Sequence, residues 1–258
     1  MNIQEALDYG TKTLEAKGVE SPRLSAELLL GFVLSLSRSQ LMANNTRSLT
    51  PQEKNQFQIV LDRRLKHEPI PYLTGEVEFY SIPLHINKGV FIPRPETETL
   101  VDTALEIAKS VSDAPKIYDL CTGSGGIIIA LALNLDDGEF WATDISSMAV
   151  QVAQKNIRRH DLQNYVELRE GSLFTPVRNE LTKDFDLVVC NPPYVKTNEI
   201  QKLDPQIRDH EPIIALDGGR EGMNLIRSIL DNIALILKPG GYVLLEADPT
   251  LMLPIRTE

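Results

Sequence analysis

Asn191-Pro192-Pro193-Tyr194 carries the most chemistry per residue in this chain. It follows an apolar run, Phe185 to Cys190, that reads as a fully buried strand ending where the tetrapeptide begins. The two prolines remove two backbone donors and fix two φ angles, so the loop is stiff. Its carbonyls and the Asn191 side chain therefore keep set directions. An asparagine amide offers one acceptor oxygen and one NH2 donor. A flat NH2-bearing group can thus rest one N–H on Asn191 Oδ1 and the other on a nearby main-chain carbonyl, with Tyr194 as an aromatic wall. The clamp suits a planar nitrogen nucleophile, either a carboxamide or the exocyclic amine of a base. The plain alternative is a proline-rich turn with no chemistry. Asn before and Tyr after, at the carboxyl end of a buried strand, favour a site.

A second constellation lies upstream. Asp119-Leu120-Cys121-Thr122-Gly123-Ser124-Gly125 is a glycine-rich turn between a short strand, Ile117 to Leu120, and an apolar helix, Gly126 to Asn134. Glycines there let a ligand approach the backbone. Asp144 ends the next strand and can accept hydrogen bonds from both hydroxyls of a ribose. Nicotinamide and S-adenosylmethionine sites share this pair. The turn departs from the G-x-G-x-x-G dinucleotide form. Asn191 sits at the end of the fourth strand, where a methyl acceptor would lie. Both features favour S-adenosylmethionine.

The tetrapeptide resembles the motif of S-adenosylmethionine-dependent amino-group methyltransferases. The stretch Phe91-Ile92-Pro93-Arg94-Pro95-Glu96-Thr97-Glu98 narrows the match. From about Met1 to Asp248 the chain resembles the release-factor glutamine methyltransferase family, which methylates the glutamine of the Gly-Gly-Gln loop of bacterial peptide-chain release factors. The resemblance implies an enzyme with S-adenosylmethionine as cofactor and release factors as protein substrate. It implies that Cys121, Thr122, Gly123, Ser124 and Gly125 form the cofactor loop. Asp144 would hold the ribose and Leu173 would flank the adenine. Asn191, Pro192, Pro193 and Tyr194 would bind substrate, with Asn191, Pro192 and Tyr194 catalytic and Asn191 also bordering the cofactor. It further implies that residues 91 to 98 form a lid over the cofactor and the target amide. The family usually has glycine where this chain has Cys121. Its adenine-edge position often carries Asp, Glu or Trp in the segment filled here by Gly171-Ser172-Leu173.

These residues need a scaffold. The 258 residues include 42% hydrophobic ones, enough for a sizeable core. Strands and helices alternate from Lys116 onward: a strand to Asp144, a helix from Ser147 to His160, a strand at Val166 to Arg169, the strand into Asn191, a helix from Glu221 to Leu237, a turn at Lys238 to Gly241, and a strand from Tyr242 to Ala247. That pattern predicts an α/β, mainly parallel, doubly wound Rossmann-like sheet. Residues 1–70 read as a small helical domain. Ile3, Leu7, Gly10 and Leu14 share one face, Ser21 is an N-cap before Pro22, and Thr50 to Glu53 is a capping box. Leu24, Leu28, Val33 and Leu36 belong to the helix, or broken helix, after Pro22; Phe57, Val60, Leu61 and Leu65 continue the buried stripe. Arg63, Arg64 and Lys66 read as a solvated face. Substrate docking by this domain is implied by the resemblance. Residues 71–90 form a β-hairpin linker, with Phe79, Ile82, Leu84 and Ile86 alternating. Residues 91–258 form the methyltransferase domain, expected to be C-terminally short and to lack the last strands of its sheet. Leu251, Met252, Leu253 and Ile255 are the only apolar set after Asp248-Pro249, where a helix could start. Gly218 and Gly219 read as a turn device.

The net charge of −10 argues against direct DNA binding, which needs a basic stripe. No apolar run is long enough for a membrane span, and the N-terminus lacks a secretory pattern, so a cytoplasmic, monomeric protein is expected. Cys121 and Cys190 read as small buried fillers at strand ends, and the four histidines lack ligand spacing, so no metal is expected. Rival readings are a ribosomal-protein glutamine methyltransferase, an adenine-N6 DNA methyltransferase acting on a flipped base, and a non-catalytic S-adenosylmethionine-binding module.

Overall fold

The computed structural model describes residues 1–176 and 184–252. The chain forms two compact units: Met1–Gly75 with Pro205–His210, and Glu76–Asp204 with Glu211–Glu258.

The first unit is helical: α1 (Ile3–Glu15), α2 (Pro22–Leu34), α3 (Arg38–Ala43), α4 (Pro51–Arg64) and α5 (Ile70–Thr74). Ile3, Leu7, Gly10 and Leu14 are all buried. A Cβ on Gly10 would come within 2.9 Å of the Phe57 ring and 3.3 Å of Ala26, so glycine is what lets α1, α2 and α4 meet. Thr50 closes a full capping box with Glu53. Ser21 does not cap. Its backbone is left-handed (φ 46°) and its side chain accepts nothing from the first turn, although Pro22 starts α2 as expected. Leu24 and Leu28 are exposed, because α2 buries Ala26, Leu29 and Leu30 instead. The helix is broken after Leu34, and Leu36 lies in the break before α3. The solvated trio also needs correction. Arg64 is only 3% exposed and its Nη1 donates to the Glu68 carbonyl at 3.0 Å. Only Arg63, paired with Glu68, and Lys66 face solvent.

In the second unit, β1 (Glu76–Phe79) and β2 (Ile82–His85) form an antiparallel hairpin. Its Phe79, Ile82 and Leu84 are built into the same apolar core as the main sheet. Then follow α6 (Glu98–Val111), β3 (Lys116–Leu120), α7 (Gly126–Asn134), β4 (Glu139–Asp144), α8 (Ser147–Arg159), β5 (Val166–Glu170), β6 (Phe185–Cys190), the short α9 (Pro205–Arg208, counted with the first unit), α10 (Asn224–Asn232) and β7 (Leu237–Leu245). The five strands pair in parallel in the order β5-β4-β3-β6-β7. Side chains alternate across the sheet as the two-residue period of a strand requires. Ile117, Leu187 and Val189 pack with α6, α7 and α8 on one face. Tyr118, Leu120, Val188 and Cys190 pack with Ile229 of α10 on the other. This is the doubly wound sheet that the alternation predicts.

Two expected bounds shift. The helix read over 221–237 is α10 plus a 3-10 turn, Ile233–Leu235. The supposed turn at 238–241 lies within β7, where a register shift opposite Phe185 and Leu187 accommodates Pro239, Gly240 and Gly241. After β7, Asp248 caps a single 3-10 turn, Pro249–Leu251, and Leu251 packs with Met223 and Ile226. Leu253 and Ile255 lie outside the described residues. Among the described residues no helix is long and apolar enough to cross a membrane.

Candidate active site

The strand order reverses beside β3: its neighbours β4 and β6 lead to opposite edges. Open α/β sheets form their ligand crevice at such a switch point, beyond the carboxyl ends of the strands. Leu120 is in register with Thr143 on one side and Cys190 on the other. The glycine turn, Asp144 and Asn191 therefore leave three adjacent strands at one level.

The turn is wound by left-handed residues: Cys121 (φ 59°), Gly123 (φ 57°) and Gly125 (φ 83°). Thr122 fixes it, with its N–H on the Thr143 carbonyl at 3.0 Å and its hydroxyl on Asp119 Oδ2 at 2.6 Å. Asn156 Nδ2 holds the Ser124 carbonyl at 2.8 Å. A Cβ on Gly123 would meet no atom within 4 Å, so the backbone there is open to a ligand. A Cβ on Gly125 would come within 3.3 Å of Ile129 and Ala153, so this glycine serves helix packing.

The two cysteines differ. Cys190 is the buried filler expected, its thiol pushed well up by burial and by its contact with the Cys121 thiol. Cys121 is half-buried on the turn in a conformation that costs an L-residue about 1–2 kcal/mol. Cys121→Gly should therefore raise stability by about 1 kcal/mol, reduced by the greater freedom of glycine in the unfolded chain. A higher urea midpoint at unchanged slope would show it; a lower midpoint would mean that the thiol's packing matters more than the strain.

Asp144 is tied to the turn. Its Oδ2 accepts the Gly123 N–H at 2.9 Å and its Oδ1 the Ser146 N–H at 2.9 Å. Burial holds its pKa above the usual carboxylate range against these bonds. Each oxygen keeps a further lone-pair direction for a hydroxyl. Leu173 (φ 46°) lies nearby, its carbonyl accepting from the Tyr118 hydroxyl at 3.0 Å and from Thr143 Oγ1 at 3.4 Å. The Gly171 N–H bonds the Asp144 carbonyl at 2.9 Å, which brings segment 171–173 beside the acid.

At the other end of the crevice, Asn191 Nδ2 donates to Thr97 Oγ1 at 3.2 Å. Among the described residues nothing donates to Asn191 Oδ1 or to the Pro192 carbonyl. Those are the two acceptors of the expected clamp. The Tyr194 hydroxyl bonds Glu246 Oε1 at 3.2 Å, and its ring packs with Met223, Ile226 and Leu251. Burial and Glu246 push its pKa up to about 12, so it stays protonated at neutral pH. The loop is closed from behind by two glycines. A Cβ on Gly218 would lie 2.8 Å from the Pro193 carbonyl oxygen, and one on Gly222 would lie 2.4 Å from that of Tyr194. Gly218 is thus a close-approach residue, while Gly219 (φ 86°) is the turn residue expected.

Four supporting residues escaped the sequence reading. Thr97 lay within a noted motif, but its partner is distant in sequence. Glu211 pairs with Arg94 and is reached by the Ile92 N–H at 3.3 Å; an isolated acid in a long connection shows no pattern. Glu246 lies one residue beyond the end of β7, inside the strand expected over 242–247, where nothing local marks it as a partner of Tyr194. Asp119 is fully buried, with Oδ1 lacking a hydrogen-bond partner among the described residues. Its place three residues before Thr122 was the available signal.

Burial pushes the Asp119 pKa up to about 7, with Asp144 adding to the rise and the Thr122 hydroxyl opposing it. A carboxyl whose folded pKa is raised contributes stability that is present below its unfolded pKa and lost as pH rises through the folded one. The margin of Asp119→Asn over the parent chain should therefore grow from about pH 4 to pH 7 and level off above. Urea melts of both chains across that range check this; a margin that does not change with pH would show that Asp119 ionises normally.

The comparisons with known proteins bear on the whole chain. Residues 5–75 match the PrmC N-terminal domain model and residues 95–206 the Methyltransferase small domain model. The chain is 39% identical to a release factor glutamine methyltransferase of Koribacter versatilis, over 99% of this chain and 90% of that one. It is likewise 39% identical to one of Moorella thermoacetica, over 95% and 85%. Among solved structures, the catalytic domain of hMettl16 in complex with MAT2A 3'UTR hairpin 1 superposes with a TM-score of 0.53 at 15% identity, covering 67% of this chain and 64% of that one. That last likeness concerns the fold alone.

Proposed function

The chain belongs to the release factor glutamine methyltransferase family, and from that premise we propose that it methylates N5 of the glutamine in the Gly-Gly-Gln motif of peptide-chain release factors. The methyl donor is S-adenosylmethionine. The residues present fit that cofactor: Gly123 leaves open backbone, and Asp144 offers a carboxylate beside it. Turn residues 121–125 would hold the methionine part, Asp144 the ribose, and Leu173 the adenine edge. When bound, the cofactor supplies an electrophilic sulfonium methyl.

The enzyme's own work falls on the nitrogen, because the lone pair of an amide is delocalised into its carbonyl. The observation that carries the proposal is the pair of uncommitted acceptors, Asn191 Oδ1 and the Pro192 carbonyl, beside the glycine turn. Each takes one N–H of the glutamine NH2, which orients the nitrogen and draws its protons. Orientation of this kind can supply about 7–11 kcal/mol in favourable cases. Pro193 stiffens the loop. Tyr194, with its hydroxyl on Glu246, props it from the side. The helical unit serves release-factor docking, and the enzyme works as a cytoplasmic monomer with no DNA partner.

A single-turnover assay with labelled S-adenosylmethionine tests this. Label should pass to a purified bacterial release factor, and neither to ribosomal protein nor to DNA. Transfer to either of the latter in preference would replace the substrate.

A further inference from the structure

Residues 92–97 form a strap tied at both ends. At one end the Ile92 N–H and the Arg94 guanidinium both reach Glu211, whose side chain is 1% exposed. Arg94 also lies over the Phe91 ring, 4.8 Å from its centre. A 3-10 turn, Pro95–Thr97, follows, with the Thr97 N–H on the Arg94 carbonyl at 3.1 Å. At the other end Thr97, 3% exposed, accepts from Asn191 Nδ2.

Thr97 stands where α6 would have its N-cap. A threonine there normally turns its oxygen to the N–H groups of the first turn. Its backbone is instead helical (φ −65°, ψ −17°) and its side chain caps nothing. Its hydroxyl oxygen accepts from Asn191 Nδ2 at 3.2 Å. That matters because the two ends of an asparagine amide have opposite character. An Nδ2 turned to the substrate would set donor against donor at the glutamine NH2. An Nδ2 held by Thr97 leaves Oδ1 as the end presented to the substrate.

We propose that Thr97 is a positioning residue that fixes the Asn191 amide with Oδ1 toward the substrate nitrogen, and that Glu211 holds the strap carrying it through Ile92 and Arg94. The proposal rests on the reading of Asn191 as a clamp for a glutamine amide. The test uses the full chain with Thr97→Val, which keeps the shape and removes the hydroxyl, and Thr97→Ser, which restores it. Thr97→Val should lower the single-turnover rate on a release factor by about tenfold or more. Cofactor affinity and the KM for the release factor should change little. Thr97→Ser should stay within about threefold of the parent rate. In amide-resolved NMR, the Asn191 side-chain NH2 signals should shift in Thr97→Val and return toward their places in Thr97→Ser. A parent-like rate in Thr97→Val overturns the proposal, and so does a serine variant as slow as the valine one. If the parent chain itself transfers no methyl to the release factor, the substrate reading fails instead. The NMR comparison then decides the role of Thr97 alone, and unmoved Asn191 signals overturn it.

Discussion

Asn191→Ala should slow methyl transfer by about 100-fold or more while leaving S-adenosylmethionine affinity nearly unchanged. The magnitude follows from what is removed. One of the two acceptors that orient the glutamine NH2 is lost, and removing a single preorganised group that acts at the reacting atoms typically costs about 100- to 1,000-fold. The separation of effects follows from geometry. The glycine turn is held by Thr122, Asp119, Asn156 and Asp144, none of which needs Asn191. Thr97 would lose its partner, but Glu211 would still hold the start of the strap. Single-turnover rates and calorimetry on the same preparation separate the two quantities. A variant with the parent rate would remove the clamp from the mechanism.

Asp144→Ala should weaken S-adenosylmethionine binding by about tenfold or more. Hydrogen bonds from ribose hydroxyls to a carboxylate contribute about 1.5–3 kcal/mol. The structure adds a second loss, since the Gly123 and Ser146 N–H groups would lose their acceptor and the turn its tie to β4. Asp144→Asn should lose nearly as much, because its NH2 would face one of those two donors. Far-ultraviolet circular dichroism should show both variants folded, since Asp144 lies at the end of its strand rather than in the core. Calorimetry giving parent affinity in both would take Asp144 out of the site.

Much of the second unit is legible in the amino-acid sequence, and the reason is physical. Between Ile117 and Asn191, buried strands read as apolar runs and helices begin at glycine or serine, so β3, α7, β4, α8 and β6 fall within about a residue of their expected bounds. The side-chain acceptor of the clamp, Asn191 Oδ1, follows from residue type. What stayed hidden is set by tertiary contact. Ser21 has the right residue type for a cap but the wrong backbone. Arg64 is buried because the Glu68 carbonyl meets it. Pro239 to Gly241 look like a turn yet lie within β7, where a register shift absorbs them. Gly218 is read as a turn residue because its neighbour, the Pro193 carbonyl, is 25 residues away in sequence. Thr97 and Asn191 are 94 residues apart, and no local pattern links them.

The central claim is that two acceptors at the end of β6 present a glutamine amide to a sulfonium methyl. Tandem mass spectrometry of a bacterial release factor, incubated with the enzyme and S-adenosylmethionine, tests it most directly. The account predicts one methyl group on the side-chain amide nitrogen of the Gly-Gly-Gln glutamine, formed about 100-fold or more slowly when Asn191→Ala replaces the parent enzyme. Methylation at any other residue, or an unmodified release factor under conditions where another substrate is methylated, would contradict it.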